Sequence, residues 1–202
     1  MKNYDYTILN KFPVTMIDEI QAFYESNKED INNDGPYETT VFGNDPNSYN
    51  RMEPDHPLVD PIKKTLARFP ISMTAIFITA PRYGLADIHT DYIRHAVINI
   101  PAKVDLKNSL FMMGNETCNA FPISEDDLNR KRPEVSSDRP PPKRYPYEPE
   151  KYSVYNLEKP VLFNPQIPHG FANWSDEERA ILSVTLDCTY KEALELLPKE
   201  WL

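Results

Sequence analysis

A histidine and an aspartate flank Thr90 in the order His89-Thr90-Asp91, and a second histidine, His169, follows much later with Arg179 after it. Two imidazoles and one carboxylate are a donor set that holds an octahedral Fe(II) on one face and leaves its other positions open for substrate and oxygen. Zinc also accepts His and Asp, usually in four-coordinate geometry. Arg179 tips the choice toward iron with a dicarboxylate cosubstrate. Its guanidinium is a planar fork that grips a carboxylate through two parallel hydrogen bonds.

Each residue has a plainer explanation when taken alone. A lone H-x-D is frequent by chance, and His169 could be a core histidine bonded to backbone, the reading given to His56 and His95. Arg179 could be a strand-end residue paired to Glu177 or Glu178. The conjunction points to the metal site. Ser183 shares a strand face with Arg179 and Ile181, where its hydroxyl could add a hydrogen bond to the same carboxylate. Arg94, just beyond Asp91, could bind an acidic group on the main substrate or the near end of the cosubstrate, the alternative being a structural ion pair. Asn99, Asn173 and Thr90 are candidates for orienting the ligands.

These residues must be brought together by strands. In extended chain, residues i and i+2 point to one side, so a single segment can aim both His89 and Asp91 at one point. Pro168 and Gly170 bracket His169, one fixing the approach and the other letting backbone pass close to a bound group. From Ser72 onward the chain is β-branched and aromatic. It predicts strands at Met73–Thr79, Ile88–Thr90, His95–Ile100, Leu110–Met113, Ser153–Tyr155, Val161–Phe163, Gly170–Trp174 and Ala180–Asp187. Short strands divided by turns predict a mainly β fold with flanking helices, a jelly roll of the cupin-like kind. Upstream, Thr15 predicts an N-cap with Asp18 and Glu19 at the positive end of a helix. Residues 28 to 56 read as loop with one strand near Glu38–Phe42. Asp60-Pro61 predicts a second helix, ending near Phe69 before Pro70. These helices should pack on an outer sheet face. Thr189 and Glu192 fit a capping box opening a C-terminal helix.

Residues 122 to 150 interrupt the pattern with repeated prolines among charges. Proline removes backbone donors, so this stretch cannot be a central strand. It reads either as a surface insertion or as a lid over the site.

The 202 residues suit one domain, 1–202, with a core at 72–188. Hydrophobic residues are 40% and charged residues 26%, which fits a folded, water-compatible chain. No apolar run reaches the roughly 20 residues that span a bilayer. A net charge of −9 argues against a broad grip on nucleic-acid phosphates, and the Arg130–Arg144 basic cluster reads as solvated loop. The opening residues carry no signal-peptide stretch, so cytoplasm is the expected location. Cys118 and Cys188 lack zinc-site spacing and are expected to be ordinary reduced thiols. Oligomeric state is not legible.

Two blocks carry a family resemblance: His89-Thr90-Asp91-Tyr92-Ile93-Arg94-His95-Ala96-Val97-Ile98-Asn99-Ile100-Pro101, and Pro168-His169-Gly170-Phe171-Ala172-Asn173-Trp174-Ser175 running on through Arg179-Ala180-Ile181-Leu182-Ser183-Val184. They resemble the 2-oxoglutarate/Fe(II)-dependent oxygenases, with the flavour of the aspartyl/asparaginyl β-hydroxylase-like branch. The resemblance covers roughly residues 72 to 188. It implies a double-stranded β-helix, iron held by His89, Asp91 and His169, and a 2-oxoglutarate anchor at Arg179. Some relatives in that branch lack the carboxylate ligand, whereas Asp91 is present here, which weakens transfer of the specific substrate. The implied reaction consumes 2-oxoglutarate and dioxygen to hydroxylate a small molecule or a free or peptidyl amino-acid side chain. Two alternatives stand beside it: a cupin-like binding or structural protein with a vestigial site, and a zinc or manganese isomerase or hydrolase on the same fold.

Overall fold

The computed structural model describes residues 6–27, 37–41, 59–79, 81–82, 84–85, 88–91, 94–114, 143–145 and 148–202. Most of the Pro-rich stretch, most of residues 28 to 56, His56 and Cys118 lie outside them. In chain order the elements are β1 (Tyr6–Ile8), α1 (Val14–Asn27), β2 (Tyr37–Val41), α2 (Val59–Thr65), β3 (Ile71–Thr79), β4 (Gly84–Leu85), β5 (Ile88–Thr90), β6 (Ala96–Lys103), β7 (Ser109–Gly114), β8 (Lys143–Tyr145), β9 (Tyr152–Tyr155), β10 (Val161–Phe163), β11 (His169–Asn173), β12 (Arg179–Leu186) and α3 (Tyr190–Leu196).

The strands form two antiparallel sheets. The major sheet runs β1-β10-β6-β12-β3-β2, and the minor sheet runs β8-β5-β11-β7-β9 with β4 also paired to β11. The expected jelly-roll architecture is present. Strand neighbours distant in sequence, such as β12 beside β6 and β5 beside β11, bring the two quoted blocks together.

Period-two alternation sorts side chains into separate cores. On the major sheet, Ile98, Ile100, Leu182 and Val184 face outward against Met16, Ile20 and Tyr24 of α1, Ile62 and Leu66 of the α2 region, and Ala193, Leu197 and Trp201 near the C-terminus. The helices cover the outer face of this sheet, as the sequence predicts. Each such aliphatic side chain contributes roughly 1.5–3 kcal/mol by leaving water. The other set, Val97, Phe163 and Ile181, faces inward and meets Phe111 and Met113 of the minor sheet. The space between the sheets is therefore partly filled and partly left for a site.

Several boundaries depart from expectation. Helix α1 starts at Val14, so Thr15 lies inside its first turn and does not cap it. The carbonyl of Pro13 accepts from the Met16 and Ile17 amides instead, at 3.1 and 3.4 Å. Helix α2 stops at Thr65 and gives way to a tight turn in which the Phe69 amide donates to the Leu66 carbonyl. Pro70 disfavours helical geometry in the residue before it. The strands at Tyr6–Ile8, Gly84–Leu85 and Lys143–Tyr145 were not expected. All three are too short for a periodic signal. The last belongs to the Pro-rich stretch and lies at the sheet edge, where proline neighbours are tolerated. The C-terminal helix matches its prediction: Thr189 Oγ1 accepts from the Glu192 amide at 3.2 Å, and Glu192 accepts from the Thr189 amide at 2.8 Å.

Candidate metal centre

His89 sits in the middle of β5 and His169 opens β11, directly opposite it in the antiparallel register. Their rings lie 4.7 Å apart between centroids, tilted by 50°. Asp91 follows β5, and its amide donates to the Pro165 carbonyl at 2.7 Å, which anchors the strand end to the turn before β11. His89 Nε2 is 3.7 Å from Asp91 Oδ1, and His169 Nε2 is 3.8 Å from Asp91 Oδ2. One donor atom from each of the three residues falls within 4.8 Å of the others. These separations are too long for hydrogen bonds and suit donors converging on one point.

The donors are in the chemical form an ion needs. His169 Nδ1 lies 2.9 Å from the Ile167 carbonyl. Donation to that oxygen places the proton on Nδ1 and leaves the Nε2 lone pair facing Asp91 and His89. Burial, partly opposed by Asp91, pushes His169 down from 6.5 to about 4, so it stays neutral. Burial pushes the Asp91 carboxyl up, but Arg94, His169 and His89 together outweigh it and hold the group below its ordinary value. An ionised Asp91 carboxylate and a neutral His169 imidazole fit a divalent cation.

The His169 shift has a consequence for the metal-free protein. The unfolded chain takes up a proton as pH falls through 6.5, whereas folded His169 does not until about 4. Its contribution to stability is full above the upper value and is lost as pH falls through that window. The urea midpoint of chelator-treated protein should therefore fall between about pH 7 and about pH 5. An unchanged midpoint would remove His169 from a buried neutral position.

Beyond the triad lies a cavity of about 450 Å³, its open mouth included. One wall is the inward face of β12, with Arg179, Ile181 and Ser183 in alternate positions. Arg179 is buried, and its guanidinium carbon lies 4.9 Å from the centre of the Phe171 ring. Glu177 and Glu178 meet Lys103, at 3.3 and 3.2 Å, whereas the alternative explanation of Arg179 would have paired one of them with it. Ser183 and Asn99 are cross-strand partners in β12 and β6 and both line the cavity. The buried Asn99 Oδ1 has no hydrogen-bond partner among the described residues, so a polar atom there is left for a ligand.

Arg94 also lines the cavity, but it is turned to Asp91: Nε and Nη2 lie 2.6 and 2.5 Å from Oδ2. Of the partners considered for it, Asp91 is the one it contacts among the described residues. Asn173 accepts from Ser109 Oγ at 3.0 Å and donates to the Glu177 carbonyl at 2.9 Å, tying the hairpin that delivers Arg179. Thr90, between two ligands, has the opposite strand parity from His89. His95 precedes β6, lying outside the strand predicted for it, and is buried.

Sequence reasoning missed the aromatic lining. Phe77, Phe111, Phe163 and Phe171 surround the cavity. Phe163 packs edge-on against His169 at 5.2 Å and against Phe111 at 5.0 Å. The available signal was parity, since Phe171 is at i+2 from His169.

No protein-family profile matches the sequence. No curated protein matches it either. Solved structures do match in fold. HygX from Streptomyces hygroscopicus, with nickel and 2-oxoglutarate bound, aligns over 92% of this chain and 83% of its own, with a TM-score of 0.54 and 9% identity. The non-heme alpha ketoglutarate dependent carbocyclase SnoK from nogalamycin biosynthesis aligns over 96% and 87%, at 0.53 and 13%. The epimerase SnoN, in complex with Fe3+, alpha ketoglutarate and nogalamycin RO, aligns over 91% and 79%, at 0.51 and 10%. At these identities the likeness establishes a shared jelly-roll fold.

Proposed function

We propose that this chain is an Fe(II)- and 2-oxoglutarate-dependent oxygenase that oxidises a C–H bond of a small metabolite or an amino-acid side chain. One observation carries the reading: His89, Asp91 and His169 converge, and the two histidines line the same cavity as buried Arg179. A metal triad alone would suit a zinc or manganese enzyme or a vestigial site. The buried guanidinium supplies a reason for a second, anionic component.

His89 and His169 would hold the ion through Nε2 and Asp91 through a carboxylate oxygen. When bound, iron with 2-oxoglutarate and dioxygen supplies an oxidant for unactivated C–H bonds, with succinate and carbon dioxide as co-products. The chain itself contributes position and environment. Arg179 would take the carboxylate of the keto acid remote from the metal, with Ser183 beside it as a hydroxyl donor. The hydrogen bond to Ile167 keeps His169 in the ligating tautomer. Phe77, Phe111, Phe163, Phe171 and Ile181 give the cavity an apolar lining that would limit water around a bound keto acid.

A small-molecule substrate has the support of HygX and SnoN, solved with hygromycin B and nogalamycin RO respectively. Placement in the aspartyl/asparaginyl β-hydroxylase-like branch, with a peptidyl or free amino-acid substrate, rests on the two sequence blocks. Hydroxylation is the outcome we favour, in the cytoplasm. Anaerobic addition of 2-oxoglutarate to the Fe(II)-loaded protein should produce a weak visible charge-transfer band, as a keto acid chelating an open Fe(II) site does. A colourless titration with iron fully loaded would refute the proposal and favour the binding-protein alternative.

A further inference from the structure

Asn99 stands in the inward row of β6, between Ser183 of β12 and Val161 of β10 in the paired register. It lines the cavity and is only 9% exposed. Its Oδ1 is buried and accepts no hydrogen bond from any described residue. Ser183, the polar neighbour, has its Oγ 3.5 Å from Arg94 Nη1. Val161, on the other flank, belongs with Phe163 to the apolar cluster between the sheets. A buried acceptor without a donor destabilises a fold, and an apolar side chain of similar shape would not. An amide held in that state is matched to something that enters the cavity.

We propose that Asn99 is a specificity-determining residue for the primary substrate, and that this substrate joins an apolar body to a neutral hydrogen-bond donor, an alcohol O–H or an amide N–H, directed at Oδ1. The inference rests on the oxygenase reading above. The 2-oxoglutarate dianion carries oxygen acceptors alone, so it cannot supply the missing donor. A charged ammonium would have to leave water for phenylalanine walls with one neutral oxygen to meet it, which favours the uncharged donor. Phe77, Phe111 and Phe163 offer the surface for the apolar body. The substrate class follows: a hydroxylated or amide-bearing hydrocarbon skeleton, recognised at one polar point.

Benzyl alcohol, benzyl methyl ether and benzylamine are the probes, added to protein first shown by calorimetry to be saturated with Mn(II) and 2-oxoglutarate. Paramagnetic broadening of their ring-proton resonances reads binding. The alcohol should bind about 5- to 50-fold more tightly than the ether, whose oxygen can only accept. Protonated benzylamine should bind more weakly than the alcohol. In N99L the preference for alcohol over ether should fall below about twofold. The metal-free N99L protein should also unfold at a higher urea concentration than the wild type, because the unmet acceptor is gone. N99V takes the place of N99L if the leucine variant does not fold. An ether bound as tightly as the alcohol, an amine bound more tightly, no broadening of any probe, or an unchanged preference in the variant would overturn the role of Asn99 and leave the oxygenase reading intact. Lower urea midpoints in both variants would mean that the fold itself uses the amide, and would overturn that role as well. A wild type that binds Mn(II) but no 2-oxoglutarate would overturn both.

Discussion

Replacing Arg179 with methionine should weaken 2-oxoglutarate binding by a factor of about 30 to several thousand, because truncating one partner of a buried charge pair costs roughly 2–5 kcal/mol. Mn(II) binding in the absence of keto acid should change little, since Arg179 is outside the three-residue donor set. Methionine keeps apolar volume over the Phe171 ring, which now packs against the guanidinium at 4.9 Å. The loss then reports the missing charge more than a collapsed wall. Lysine should rescue only part of the affinity, since an ammonium lacks the planar two-point grip. Calorimetric titration of the Mn(II)-loaded variants measures both quantities. An unchanged keto-acid affinity in the methionine variant would take Arg179 out of the cosubstrate site. Loss of metal binding as well would mean that the substitution disturbed the whole cavity.

Replacing Asp91 with alanine should abolish stoichiometric metal loading and also destabilise the metal-free protein by about 3–5 kcal/mol. The second effect comes from Arg94, whose buried guanidinium loses the carboxylate it contacts through two nitrogens. His89→Ala separates the two effects. It removes a ligand whose side chain is 26% exposed, so metal should be lost with a much smaller cost to the metal-free fold. The double variant D91A/R94M should recover part of the stability, because no charge is then left stranded. Metal content by elemental analysis and urea unfolding of chelator-treated protein are the two readouts. Full metal retention in D91A would remove Asp91 from the ligand set. Equal unfolding midpoints for D91A and H89A would mean that the buried ion pair carries no weight.

The strands and the convergence of His89, Asp91 and His169 were legible because they depend on local pattern. On β12, Arg179, Ile181 and Ser183 alternate with Ala180, Leu182 and Val184, and the two sets face the cavity and the helices respectively. Parity alone predicted that Ser183 would share the side of Arg179. The strand at Lys143–Tyr145 was illegible because its three residues are held by pairing with β5 and show no hydrophobic period of their own. The misplaced start of α1 has a similar origin. A threonine followed by acids satisfies the capping preference, but the Pro13 carbonyl lies where the first helical bonds are made. Arg94 shows the remaining limit. Its chemistry suited a substrate carboxylate, a cosubstrate carboxylate or Asp91 equally well, and only distances could choose. The phenylalanine lining was hidden because it is contributed by β3, β7, β10 and β11, whose convergence is a property of the sheets.

The two halves of the donor set lie on opposite sides of the segment between β7 and β8, with His89 and Asp91 before it and His169 after it. An ion seated there would act as a rivet across the chain. It would close one long loop whose ends already meet through the pairing of β5 with β11 and the bond from the Asp91 amide to the Pro165 carbonyl. Since the unfolded polypeptide has no such clasp, loading would raise the melting temperature in proportion to the logarithm of free metal concentration. Chelation would then loosen the junction between early and late halves before it disturbed the helix-covered face.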